Sequence, residues 1–327
     1  MIAVISMKST DDSTIRVMEW IKCLGGESIR INVDDIPRMG FGLEPEGAGG
    51  GSFVTREGHE VPLSEIHSVW FRRSAPMPLP DLSPVTNDDL RKVMERHMLK
   101  EYRGAATGLY SALDHAHWLS HPDTCVPSKF QVLKKAHALG IHIPPSLITN
   151  NKRTLLDFRA KHGELILKCI TDADIFEKDE TMYSTFTNVF ESDHIDSLPD
   201  RFFPVLIQKK IEKAWEIRSF YLEPDFHTMA IFSQGNKKTE VDFRHYDLEK
   251  PNRNIPYDMG ADLEGRLTSL MKQLSLNSGS LDLICGKDGK TYFLEVNPVG
   301  MFGMVSVPCN LNLRKKVAEY LIEKDKP

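Results

Sequence analysis

Two short apolar runs near the C-terminus, Gly279–Ile284 and Phe293–Pro298, carry Asp282, Glu295 and Asn297 and are joined by Gly286-Lys287-Asp288-Gly289-Lys290. Asp-Gly in so short a linker predicts a hairpin. On a regular second strand Phe293, Glu295 and Asn297 share one face, with Leu294 and Val296 on the other. Two carboxylates and a carboxamide on paired strands offer oxygen ligands to a hard divalent cation such as Mg²⁺. The same residue types also suit the solvent face of an ordinary hairpin. Cations stand at element ends elsewhere: Lys129 opens a helix, and Lys168 closes the apolar run Leu165-Ile166-Leu167. Taken singly, each is equally a side chain reaching for solvent. Further on, Leu206-Ile207-Gln208 leads through a polar hinge, Lys209 to Lys213, into Trp215-Glu216-Ile217-Arg218, where Glu216 and Arg218 share a face. Such a hinge can present backbone groups to a purine edge. A carboxylate after it, Glu212 or Glu216, can hold ribose hydroxyls, and Arg218 can stabilise charge on a transferred phosphoryl group. A surface ion pair between strand neighbours is the plainer reading of Glu216 and Arg218.

The elements that must position these residues follow from periodicity and punctuation. Strands are predicted at Ile2–Ser6 and Ser28–Val33 around a helix, Ser13–Leu24, that Gly25-Gly26 stops. Gly40–Ser52 reads as a flexible turn or hairpin tip, and Ser68–Arg73 as a buried strand ending in Arg72-Arg73. A helix spans Asn87–Leu113 with a break expected near Gly104, and Trp118–Pro127 is a connector. Beyond it come a helix at Lys129–Leu139 capped by Ser128, a strand-helix-strand run to Cys169, and an acidic, aperiodic stretch from Thr171 to Leu198. Strands then alternate with turns from Val205 to Phe243, and helices at Leu263–Leu274 and Leu313–Glu323 bracket the hairpin. The expected organisation is an α/β lobe over residues 1–122, a central lobe over 123–204 and a C-terminal lobe over 205–327 that carries the oxygen ligands.

Bulk properties exclude classes without naming one. The 327 residues, 41% hydrophobic and 27% charged, are those of an ordinary globular chain. A net charge of −5 argues against a nucleic-acid binder working through bulk charge. No apolar run approaches the roughly 20 residues of a membrane helix, and the N-terminus lacks the form of a signal peptide. Five scattered cysteines without a CxxC pair fit reduced thiols in a cytoplasm, and neither a zinc site nor a disulfide framework. Walker and dinucleotide-binding glycine motifs are absent.

In order and rough spacing, Lys129, Lys168, the hinge Gln208–Glu212, Glu216-Ile217-Arg218, Asp282 and Glu295-Val296-Asn297 resemble the ATP-grasp ligase superfamily over nearly the whole chain. Phe71-Arg72-Arg73, the stretch from Thr239 to Arg244, Lys250 to Tyr257, Leu276 to Asp282 and Glu295 to Gly300 are similar to the peptide-maturing branch. That branch comprises the graspetide or microviridin-type macrocyclases, and within it the grasp-with-spasm maturases are nearest. The hinge departs from many relatives in having Lys209 where they have Glu.

The resemblance implies an N-terminal α/β lobe followed by two lobes that clamp ATP between antiparallel sheets. It implies ATP and two Mg²⁺ ions held by Asp282, Glu295 and Asn297, with Lys129 and Lys168 on the phosphates. Gln208, Lys209, Ile211 and Glu212 or Glu216 would line the nucleoside, and Arg218 and Arg244 would face the transferred phosphoryl group and the incoming carboxylate. The implied activity is ADP-forming: Asp or Glu side chains of a ribosomal precursor peptide are phosphorylated, then joined to Thr or Ser hydroxyls or Lys amines. Amino-acid addition to a protein tail or dipeptide, and a non-catalytic ATP-dependent peptide-binding module, are the competing functions. A leader peptide is expected near Glu191 and Asp193, whose neighbours Phe190 and Ile195 form an apolar strip. Arg72 and Arg73 are expected either to bind substrate carboxylates or to cap their strand. The long N-terminal helix could support a homodimer.

Overall fold

Apolar runs separated by amphipathic segments supply strands that can be buried on both faces, as a parallel sheet covered by helices requires. The computed structural model describes residues 1–7, 12–46, 49–55, 58–73, 78–171, 175–178, 181–184, 187–233 and 252–326. Its first compact unit comprises Met1–Cys125 together with Asn312–Pro327. Here β1 (Ile2–Ser6), α1 (Asp12–Cys23), β2 (Ser28–Asn32), β3 (Gly40–Leu43), β4 (Gly51–Val54), β5 (Glu60–Pro62), β6 (Ser68–Phe71), α2 (Asp88–Ala112) and β7 (His117–Leu119) follow one another. The parallel sheet runs β2-β1-β6-β7. Every residue of β1 and β6 is buried, as their unbroken apolar sequences require.

Two expectations are decided in this unit. The glycine-rich stretch takes the hairpin form rather than that of a flexible turn: β3 and β4 pair across it and, with β5, form their own antiparallel sheet. Its second strand starts at Gly51, where φ is +112° and an added Cβ would lie 2.1 Å from the Gly42 carbonyl oxygen. Nor does α2 break at Gly104, which costs a helix only about 1 kcal/mol and lies inside one continuous helix whose Asn87 cap accepts from the Leu90 amide.

The second unit, Val126–Leu311, holds the residues of chemical interest. It contains α3 (Lys129–Ala138), β8 (Ser146–Asn151), α4 (Lys152–His162), β9 (Leu165–Lys168), β10 (Ile175–Lys178), β11 (Thr181–Ser184), β12 (Asn188–Val189), α5 (Ser192–Ser197), β13 (Arg201–Lys209), β14 (Lys213–Leu222), β15 (Asp225–Phe232), β16 (Arg253–Pro256), α6 (Ala261–Gln273), β17 (Ser278–Gly286), β18 (Thr291–Asn297) and α7 (Gly303–Ser306). The chain then returns to the first unit, where α8 (Leu313–Lys324) packs on α1 and β6. The last helix thus belongs to a different unit from the strands that precede it in sequence, with Leu313, Val317, Ala318 and Leu321 buried.

Two antiparallel sheets organise the second unit. The smaller has strand order β12-β9-β13-β8, and its back packs Leu165 and Ile207 against Leu155 of α4 and Ile195 of α5. The larger has order β16-β15-β14-β17-β18. Ile217 and Tyr221 of β14 and Leu281 and Leu283 of β17 face α3 and α6, whose Val132, Leu133, Ala136, Leu267, Leu270 and Met271 complete a core. Alternation then sends Glu216, Arg218, Ser280 and Asp282 to the opposite face.

The hairpin predicted from Asp-Gly is present, with Gly289 at φ +77° and the Gly286 amide bonded to the Lys290 carbonyl. Its second strand is not regular. Asp282 pairs with Glu295, whereas the next residue, Leu283, pairs with Phe293, so Leu294 is the extra residue of a β-bulge. Phe293 is fully buried in the core with Leu283, while Glu295 and Asn297 stay beside Asp282 and Ser280. Phe293 therefore does not share a face with the two polar residues, as simple alternation had it. A reporter of this arrangement is stability: Phe293→Ala should cost about 3–5 kcal/mol and Leu294→Ala about 1 kcal/mol or less, read as denaturant midpoints. Equal, small effects would place Phe293 on the polar face after all.

Candidate active site

The inward face of the larger sheet is built by register. Arg218 lies directly opposite Asp282, and Asp282 directly opposite Glu295; Ser280 is opposite Asn297. Cross-strand partners share a face, so five polar side chains from three strands form one patch. A terminal nitrogen of Arg218 donates to both carboxylate oxygens of Asp282, at 2.6 and 2.8 Å. The Asn297 amide nitrogen donates to Asp282 Oδ2 at 3.5 Å, leaving its carbonyl oxygen as an acceptor. Gly300, in the loop that follows, sits so close to Ser280 that a Cβ there would lie 2.4 Å from the serine hydroxyl.

Two lysines reach this patch from other elements. Lys129 Nζ, in the first turn of α3, lies 3.4 Å from Glu295 Oε2. Lys168 Nζ, at the end of β9 in the smaller sheet, lies 3.6 Å from the same oxygen. Side-chain exposures of 19%, 11% and 14% for Lys129, Lys168 and Glu295 take these contacts out of the class of solvated surface pairs. Lys168 is opposite Leu206 and Ile166 opposite Gln208, so Gln208 shares its face of the smaller sheet. Structure thus gathers Lys129, Lys168, Arg218, Asp282, Glu295 and Asn297 from α3, β9, β14, β17 and β18.

The hinge is anchored by its own backbone. Lys209 and Lys210 amides donate to the Pro145 and Glu164 carbonyls, at 2.9 and 2.8 Å. Ile211 follows them, and its amide donates to no described group. Gln208 is buried, and its Nε2 donates to Ser146 Oγ at 2.9 Å, while Ser146 Oγ donates to the Pro144 carbonyl. A carbonyl only accepts, so the serine proton is committed and the Gln208 orientation follows. Its Oε1 is then a buried acceptor without a partner.

The two carboxylates near the hinge differ sharply. Glu216 bonds Lys213 and accepts from Ser233 Oγ at 2.9 Å, with its side chain 7% exposed. Glu212 is 77% exposed and, among the described residues, pairs with Lys287 at 3.3 Å. Sequence could not separate them because both are glutamates near one strand end; burial does.

Other predicted residues fall elsewhere. Glu191 caps α5 and, like Asp193, is exposed. Their expected apolar companions do not form a surface strip, since Ile195 is buried in the core behind the smaller sheet and Phe190 packs against it. Arg72 is buried in the first unit, donating to Ser13 Oγ at 3.1 and 2.9 Å, with Trp70 6.0 Å away beneath its guanidinium. Arg73 is the more accessible of the pair. Arg244, and the segment from Thr239 that contains it, lie outside the described residues.

The donor set fits a hard cation that takes its remaining ligands from phosphate and water. Asp282, Glu295 and Asn297 supply only oxygen, and among the described residues no group of three or more His, Cys, Asp or Glu side chains would hold a metal unaided. Burial pushes the Cys125 thiol up to about 12 and raises Cys285 and Cys309 as well, which disfavours thiolate chemistry at these three positions. No described helix is long and apolar enough to cross a membrane.

Comparison with known proteins places this geometry. Residues 1–125 match the family described as the MvdD pre-ATP grasp domain. A RiPP-associated ATP-grasp ligase of Chryseobacterium gregarium, solved with ADP and a leader and core peptide, is 26% identical, with a TM-score of 0.84 over 100% of this chain and 97% of that one. The macrocyclase MdnC of Microcystis aeruginosa MRC, solved with precursor peptide MdnA, is 25% identical, with a TM-score of 0.83 over 98% and 99% of the two chains. The ATP-grasp ligase PsnB shares the fold, at 19% identity and a TM-score of 0.78 over 99% and 97%. No curated protein matches by sequence. With a match to the pre-ATP-grasp domain family over residues 1–125 and a likeness to these ligases along its full length, the chain has the ATP-grasp fold and is similar to the RiPP-associated peptide ligases and macrocyclases.

Proposed function

We propose that the chain is an ATP-dependent peptide macrocyclase, which phosphorylates Asp or Glu side chains of a ribosomal precursor peptide and joins them to Thr or Ser hydroxyls or Lys amines. The observation that carries the reading is the convergence of Lys129, Lys168 and Arg218 on Glu295 and Asp282, at the inward face of an antiparallel sheet. Cations interleaved with oxygen donors suit a triphosphate with Mg²⁺, which when bound would neutralise the charge developing in phosphoryl transfer. The similarity to a ligase solved with ADP, leader and core peptide, and to a macrocyclase solved with its precursor, points to a peptide as the acceptor.

In this reading Asp282, Glu295 and Asn297 hold two Mg²⁺ ions, and Lys129 and Lys168 hold phosphates. Gln208, Lys209 and Ile211 line the base, with the Ile211 amide as the donor to its edge. A substrate carboxylate attacks the γ-phosphorus as the bond to ADP breaks. The hydroxyl or amine then attacks the acyl carbon of the mixed anhydride, loses its proton, and phosphate leaves. Carboxylates are poor electrophiles, so this activation is what ATP supplies. Arg218, and Arg244 in the stretch after β15, act on the phosphoryl group and the carboxylate, which a planar guanidinium can grip through two parallel hydrogen bonds. The ribose goes to Glu212, because Glu216 is locked to Lys213 and Ser233. A precursor leader is assigned to the exposed acids Glu191 and Asp193 through its basic residues rather than an apolar face. Arg73, the accessible member of its pair, is the candidate for substrate carboxylates in the first unit.

Incubating the chain with ATP, Mg²⁺ and candidate precursors rich in Thr and Asp/Glu should release ADP and remove one water mass per ring. Mass gain would instead indicate amino-acid addition, and ATP binding without turnover a binding module; either outcome overturns macrocyclisation. The two glutamates separate by a second experiment. Glu212→Ala should weaken ADP binding about tenfold, as expected for hydrogen bonds to a charged group, with the melting temperature unchanged. Glu216→Ala should instead destabilise by about 3–5 kcal/mol, since it strands the buried Lys213 charge.

A further inference from the structure

One oxygen has two claimants. Glu295 Oε2 is approached by Lys129 at 3.4 Å and by Lys168 at 3.6 Å, from a helix and from the opposite sheet. Neither lysine can satisfy a phosphate and Glu295 equally well, and all three side chains are largely desolvated, so their attraction is weakly screened. We infer that Glu295 is a specificity residue that selects metal-complexed over free nucleotide, by holding both phosphate-binding lysines until a divalent cation takes their place. This rests on the nucleotide reading proposed above.

The charge balance gives the reason. A free nucleotide that draws Lys129 and Lys168 away leaves the Glu295 carboxylate in a low-dielectric setting, without these two cations and close to phosphate oxygens of like charge. That cost is removed when the nucleotide brings a divalent cation, whose two positive charges replace the two ammonium groups at the same carboxylate. Metal and nucleotide are then coupled through one residue, and the coupling is reciprocal. Asp282 differs, although it lies directly opposite Glu295 and carries the same charge. Its carboxylate accepts from Arg218 through both oxygens. Neutralising Asp282 therefore releases Arg218, whereas neutralising Glu295 releases both lysines.

The test is calorimetric titration of the full chain with ADP, in EDTA and in saturating Mg²⁺, requiring no turnover. Wild-type protein should bind ADP at least about tenfold more tightly with Mg²⁺, the size of coupling typical between linked sites. Glu295→Gln should bind metal-free ADP about tenfold more tightly than wild type and lose most of the Mg²⁺ gain, and Glu295→Ala should move in the same direction. Asp282→Asn should change metal-free affinity less than about threefold, on the same scale of linked-site coupling. Metal-free affinity in both Glu295 variants equal to or weaker than wild type overturns the inference. So does an Asp282→Asn effect as large as that of Glu295→Gln, because bulk charge would then suffice. Failure of folded wild-type protein to bind ADP with Mg²⁺ would overturn the nucleotide site itself, a separate result.

Discussion

The site depends on a small group of charges held out of water between two sheets. Glu295 is contacted by two lysines and Asp282 by an arginine, all of them mostly buried. An isolated charge in such a place is costly, and a buried carboxylate is tolerable only when cations answer it. Each partner must therefore be delivered to within about an ångström by a different element. Much of the second unit serves that delivery: α3 brings Lys129, β9 brings Lys168, and the ladder of β14, β17 and β18 aligns Arg218, Asp282 and Glu295 in one row.

Burial on the far face makes the row rigid. Leu281, Leu283, Phe293 and Val296 lie against α3 and α6, so β17 and β18 cannot slip without exposing them. The bulge at Leu294 reconciles two demands on one strand. Phe293 belongs to the core and Glu295 to the polar face, positions that strict alternation forbids for residues two apart. An extra residue in the strand costs one regular pairing and satisfies both.

Elsewhere the fold sorts residues that look alike. Glu212 and Glu216 are four residues apart, yet one is hydrated and one is locked in a buried pair. Arg72 and Arg73 are adjacent, yet one is consumed by Ser13 and Trp70. Phe190 and Ile195 look available beside acidic residues but complete a core. In each case the deciding quantity is whether water reaches the side chain, which depends on elements distant in sequence.

Local chemistry was legible without coordinates. Asp-Gly announced the hairpin, alternation placed Glu216 with Arg218 and Glu295 with Asn297, and apolar runs announced the parallel strands of the first unit. The types and order of Lys129, Lys168, Arg218, Asp282, Glu295 and Asn297 made them candidates, and the resemblance to the ATP-grasp ligases suggested their roles. Convergence was not legible. Lys129 and Lys168 meet at one oxygen of Glu295 only because two sheets and a helix pack as they do, and the bulge, the unbroken α2 and the return of α8 to the first unit are likewise packing outcomes. Sequence by itself determined which residues could bear charge and which strands could carry them. Tertiary structure decided which charges are desolvated together, since desolvation is a property of what surrounds a group rather than of its place in the chain.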